Sequence, residues 1–293
     1  MDGVSVGDGY AEHITEPDLR LIGAATGLPD GEAGADSLRR DPDALERALA
    51  DPRVFEAIFG AESLAAKEAV IASPFLAFAT AVHRATADLA EVRYVAERAA
   101  ARQKVPVFDA PELRDFLNSA ARRLFLAELL TSFTRVTSGR YRVTVGGRAR
   151  TRRFSELDPV RLAGMLDAVP EESRPGVYRR LGDVALFLSG VFPDYVAAQA
   201  FSPVNVARLL RATQVPASER ERLAGVPDLE LMEDLGSRWY RSALALAPVR
   251  TSGLTVVGEV ADRFRQARRV LNHVADRYLI GGPGASWFAA PGR

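Results

Sequence analysis

VALFLSGVF, residues 184 to 192, is apolar on every side and carries no charge. A run of that length with no polar face reads as the buried middle of a helix spanning 172–192. Around it the chain is punctuated by helix starts. Asp41-Pro42, Asp51-Pro52 and Asp158-Pro159 each set a capping carboxylate before a proline, and Ser73-Pro74 and Ser202-Pro203 repeat the pattern with a hydroxyl. The side-chain oxygen accepts from first-turn N–H groups, and proline at the first helical position forfeits no hydrogen bond.

Long helices are expected after these caps, over 74–92 and 111–136. In the second, Leu113, Phe116, Leu117, Ala120, Leu124 and Ala127 share one face. Between them RQKVPVFDAP reads as extended chain, because proline disfavours helix in the residue before it. Further helices are expected near 159–168, 203–213, 227–247 and 254–279. In the last, Val257, Val260, Phe264, Ala267, Leu271, Val274 and Tyr278 alternate three and four apart. That seam packs within a helical protein or, alternatively, makes a homodimer through 257–278. Trp287 and Phe288 are expected to dock back onto the body.

The predicted fold is all-α, a multi-helix globular bundle with one inserted arginine-rich β-hairpin. The expected organisation is an acidic, glycine-rich and partly flexible segment over 1–40, a helical part over 41–138, the hairpin at 139–154, a second helical part over 155–280 and a flexible tail at 281–293. Within the first segment, Thr15-Glu16-Pro17-Asp18 opens a short helix closed by Gly27. The predicted core includes Val184, Phe187, Leu188, Val191, Phe264, Leu271 and Val274.

Composition narrows the function classes. With 38 basic and 38 acidic residues the chain is neutral, so affinity for nucleic acid or membrane must be local. The absence of cysteine excludes disulfides, thiolate catalysis and zinc–cysteine or iron–sulfur sites. The first residues carry neither a basic n-region nor an apolar h-region, and the longest uncharged apolar-rich run, Ala69 to Val82, is shorter than a membrane span. A cytoplasmic location, with no membrane contact, is the expectation.

Motifs for catalysis are weak. Gly3-Val4-Ser5-Val6-Gly7 matches a nucleophile elbow but lacks the preceding strand. Gly281-Gly282-Pro283-Gly284 lacks the following helix that a phosphate cradle requires. His273, Asp276 and Asp262 are too few for a metal site, and His83 reads as a boundary histidine. No cofactor and no metal are expected. Asp183 lies three and four residues after Arg180 and Arg179, so a structural ion pair at the core edge is predicted. An enzyme with a motif-less site in a helical cleft around Asp183 is the alternative.

GRYRVTVGGRARTRRF, residues 139–154, carries six arginines and no acid. Two β-branched and basic runs around a glycine pair predict a hairpin. Pairing Val145 with Arg148 sets Val143 against Arg150 and Tyr141 against Arg152, and on the other face Arg140 against Arg153 and Arg142 against Thr151. The chain favours arginine over lysine throughout, with only Lys67 and Lys104. At the chain average, fourteen residues would hold about two arginines, fewer than are found between Arg140 and Arg153. Charge on both faces forbids burial. Three roles follow: a solvated edge that blocks strand-to-strand aggregation, a contact with acids, or a contact with nucleic-acid phosphates. The acids are those of the N-terminal segment or of a partner. The expected function is a non-enzymatic interaction or scaffolding protein, with Arg140, Arg142, Arg148, Arg150, Arg152 and Arg153 against an acidic surface. Nucleic-acid binding is the alternative.

Overall fold

The computed structural model describes residues 6–28, 32–60, 72–100, 103–145, 148–199, 202–249, 251–280 and 287–288. Nearly every element is a helix, and the strands form two separate two-stranded antiparallel sheets. The all-α reading is therefore right, with a second hairpin added. β1 (Val95–Ala100) and β2 (Gln103–Val107) pair where the sequence showed only extended chain around Pro106.

Two compact units divide the chain: residues 1–95, 107–134 and 273–288 in one, and 96–106, 135–272 and 289–293 in the other. Two short segments depart from the chain order of this division. Residues 96–106 belong with the second unit because Glu97 pairs there with Arg268 and Arg269. Residues 273–288 belong with the first because Tyr278 donates to Asp88, packs edge-on against Phe55, and Phe288 stacks on Phe78.

The first unit begins with α1 (Val6–His13), α2 (Glu16–Thr26), α3 (Glu32–Arg40), α4 (Pro42–Leu49) and α5 (Pro52–Phe59). The described part of 1–40 is helical and packed. Tyr10, Leu21 and Ile22 are core residues, and a Cβ on Gly7 would lie 2.4 Å from Pro42 Cβ. Glycine there is what lets α1 approach α4. Thr15 and Asp18 form a reciprocal capping box at α2, and Gly27 closes it at φ 76°. The other oxygen of the buried Asp18 carboxylate accepts from the Ser73 N–H, 2.8 Å away, and so ties α2 to the start of α6 (Pro74–Glu91).

All five Asp-Pro and Ser-Pro pairs act as the spacing predicts, each side-chain oxygen accepting from a first-turn N–H. The expected helix over 111–136 is instead two, α7 (Ala110–Leu117) and α8 (Ala120–Ser132). Ser119 caps α8, and the guanidinium of Arg122 donates to the Phe116 and Asp115 carbonyls freed at the end of α7. Local polar groups replace the helix ladder at this break, which apolar periodicity alone does not report.

Packed against α1, His83 of α6 is buried and its Nε2 lies 3.2 Å from Tyr10 Oη. Burial, reinforced by the Arg123 charge, lowers its pKa to about 3 from an ordinary 6.5. The unfolded chain takes up this proton near pH 6.5 and the folded chain only near 3. Stability is therefore present above the upper value and lost as pH falls between them, by about 1.4 kcal/mol per pH unit. Urea unfolding at pH 7 and pH 5 is expected to show that loss, and His83→Gln to flatten it by one proton. An unchanged pH slope in the variant would show that His83 is not held neutral.

The second unit is built on α10 (Arg174–Val191) crossing α14 (Asp228–Leu246). Residues 184 to 191 are all buried, as are the other core residues expected from the sequence, Phe264, Leu271 and Val274. Around the crossing lie α9 (Pro159–Ala163), which runs into a 3-10 turn at Gly164–Asp167, then α11 (Pro193–Gln199), α12 (Pro203–Ala212) and α13 (Ala217–Ala224). α11 and α13 were not expected. The helix expected over 254–279 is broken at Arg263 into α15 (Ser252–Asp262) and α16 (Phe264–Val274), and continues as a π-turn at Ala275–Leu279. Its apolar seam from Val257 to Val274 is buried within the single chain, and Tyr278 is partly buried.

Candidate functional site

The arginine block forms β3 (Ser138–Val145) and β4 (Arg148–Ser155), antiparallel. Its register has Val145 opposite Arg148, Val143 opposite Arg150, Tyr141 opposite Arg152, Arg142 opposite Thr151 and Arg140 opposite Arg153. Gly146 and Gly147 lie outside the described residues, and so do the side chains of Arg148, Arg150, Arg152 and Arg153. Arg140 and Arg142 are exposed. Neither side chain has an ion pair or hydrogen bond with a described residue.

The foot of the hairpin is held by one acid just beyond the block. Glu156 Oε2 accepts from the Thr137 N–H at 3.0 Å and lies 3.2 Å from Arg180 Nη2 on α10. Arg180 continues inward, with Nη1 4.0 Å from Asp183 Oδ2, while Arg179 Nε stands 3.5 Å from Asp183 Oδ1. Tyr240 of α14 donates its hydroxyl to the same Oδ1 at 2.8 Å. The network therefore runs from the hairpin base to the helix crossing. The sequence suggested the pairing of Asp183 with both arginines, but not Glu156 or Tyr240, which are distant in the chain.

Burial raises the Asp183 pKa, with Arg179, the Tyr240 hydroxyl and Arg180 opposing it. Burial also raises Tyr240, whose proton the Asp183 carboxylate further retains. The carboxylate is enclosed, and its oxygens are engaged by Tyr240, Arg179 and Arg180. It is not among the residues that line the large cleft of this unit.

That cleft, about 1070 Å³, opens at the foot of the hairpin. Tyr141 of β3 forms one wall, Arg161 of α9 and Asp167 of the 3-10 turn another, and Val204, Arg208 and Arg211 of α12 the third. Phe154 covers Gly139 at the hairpin base, where a Cβ would come within 2.7 Å of its ring, and Tyr141 packs at 6.4 Å from the same ring. Sequence reading missed the cleft because its walls come from segments 141, 161–167 and 204–211. The one signal available was the i, i+3 spacing of Arg208 and Arg211.

Comparison with protein-family models, with curated proteins and with solved structures finds no match for this chain.

The weaker motifs add nothing to the site. Gly3 and Ser5 of the elbow pattern and the Gly281–Gly284 run lie outside the described residues. His13 pairs with Glu128, and Asp262 with Arg241. Among the described residues no group of three or more His, Asp or Glu is placed to hold a metal ion, and no helix is long and apolar enough to cross a membrane.

Proposed function

We propose that this chain is a non-enzymatic interaction or scaffolding protein whose arginine hairpin contacts an acidic surface on a partner protein. The observation that carries this reading is the exposure of Arg140 and Arg142 with no described acid paired to either. Cations left in that state bind carboxylates with little desolvation cost. An external partner is favoured over the N-terminal segment because three described acids of that segment are already engaged in the first unit. Glu16 pairs with Arg39, Asp36 with Arg39 and Arg40, and Asp18 serves as cap and crosslink. Asp183, the centre of the alternative enzyme reading, is occupied by Tyr240 and two arginines.

The test is a titration of labelled polyglutamate and of single- and double-stranded DNA, at about 50 mM and at higher salt. The variant is Arg148→Ser/Arg150→Ser/Arg152→Ser. Polyglutamate is expected to bind and to lose about ten- to a hundredfold in the variant, since each exposed pair contributes about 0.5–1 kcal/mol. DNA is expected not to bind even at the lower salt. DNA binding whose salt slope flattens by about three in the variant would transfer the site to nucleic acid. Absence of polyglutamate binding would end the acidic-partner reading.

A further inference from the structure

The outward face of α12 combines two chemistries that the hairpin does not. Val206, Leu209 and Leu210 turn into the core, which leaves Val204, Ala207, Arg208 and Arg211 along the cleft. Val204 is 68% exposed, unusual for a branched aliphatic side chain on an otherwise well-packed helix. Arg208 and Arg211 are exposed one turn apart and pair with no described acid. Across the cleft Arg161 is engaged by Asp158 at 3.0 Å, and among the described lining residues Asp167 is the one acid. The wall of α12 is therefore cationic at one end and aliphatic at the other, along a single face.

We infer that this cleft receives an amphipathic acidic peptide segment of a partner protein, with aliphatic side chains against Val204 and carboxylates at Arg208 and Arg211. The inference rests on the acidic-partner reading of the hairpin and gives that partner its chemistry. Three arguments select the occupant. At about 1070 Å³ the cleft stands at the upper end of small-molecule pockets and has room for several side chains. A phosphodiester backbone would satisfy the arginines but leave Val204 in water, whereas a helix or strand with acids beside aliphatics covers both. Tyr141, at the junction of hairpin and cleft, is an aromatic of the kind that anchors peptide interfaces. The partner then runs from the cleft onto the arginines above it, so that one acidic segment is read by both.

The experiment is selection of a random dodecapeptide library, displayed on phage, against the full chain and two variants. These are Val204→Asp and Arg208→Glu/Arg211→Glu, both at exposed positions, with helical circular dichroism and thermal melting as the check on folding. Peptides enriched on the wild type are expected to combine glutamate or aspartate with leucine, isoleucine or phenylalanine. One such peptide, synthesised and titrated, is expected to bind about tenfold more weakly to Val204→Asp and to lose measurable affinity for the double arginine variant. Enrichment of acids alone, unchanged by Val204→Asp, would overturn the inference while leaving the acidic hairpin contact standing. No enrichment, or enrichment without acids, would overturn the inference as well, and polyglutamate titration then decides the broader reading separately.

Discussion

Replacing Arg268 with methionine is expected to be among the most damaging single changes in this protein, at about 3–5 kcal/mol. Arg268 is 1% exposed and is shared between Glu233 of α14 and Glu97 of β1, so that it joins the small β1–β2 sheet to the helices of the second unit. Arg269 and Arg265 support the same two carboxylates from the partly exposed side. Without Arg268, two mostly buried carboxylates would face one another with only these outer partners. The triple change Glu97→Val/Glu233→Met/Arg268→Met removes every charge of the inner network and is expected to recover most of the loss, because isosteric apolar packing replaces buried ion pairs at little cost. Chemical denaturation of both variants measures this. If the triple variant is as unstable as the single one, uncompensated charge is not the cause.

Gly236→Val should be comparably severe, near the upper end of the about 1–3 kcal/mol that overpacking costs. A Cβ at Gly236 would lie 2.2 Å from Phe264 Cζ and 2.9 Å from Ala185 Cβ, and one at Gly182 would lie 2.4 Å from the Tyr240 ring. Both glycines sit at the crossing of α10 and α14, and the missing side chains make the notches that Phe264 and Tyr240 fill. Phe264 is 3% exposed and Tyr240 fully buried with its hydroxyl held by Asp183, so neither ring has room to retreat. Gly176, on α10 with nothing within 4 Å of its would-be Cβ, is the control. Gly176→Ala is expected to stabilise by up to about 1 kcal/mol through helix propensity. A thermal-melting series in which Gly236→Val and Gly176→Ala shift alike would refute the close-packing account.

The acid-lability of His83 between pH 7 and pH 5 and the arginine effects at the hairpin and cleft are smaller, because they act on part of one proton's titration or on exposed pairs. They differ from the first two in what they report. Arg268 and Gly236 test how the second unit holds together, whereas Val204, Arg208 and Arg211 test what it binds.

What was legible in the sequence was everything governed by neighbours a few residues apart. Asp41, Asp51, Ser73, Asp158 and Ser202 announce helix starts because a cap and its N–H partner are two or three residues apart. Val184 to Val191 announces a buried helix because no rotation of it presents a polar face. The hairpin register was legible because a short turn leaves one way to pair RYRVTV with RARTRRF.

Tertiary structure alone decided what depends on groups far apart in the chain. The partners of Arg268 lie 171 and 35 residues away, and nothing local in Glu97 marks it as a buried ion. The separation of α7 from α8 turned on Arg122 reaching back six and seven residues to free carbonyls, within an apolar pattern that continues across the break. The cleft exists because β3, α9 and α12 converge, and no single wall carries enough of it to be recognised. Periodicity reports which face of an element is buried. It cannot report what that face meets, because the energy of the meeting resides in pairs whose sequence separation the chain leaves unmarked.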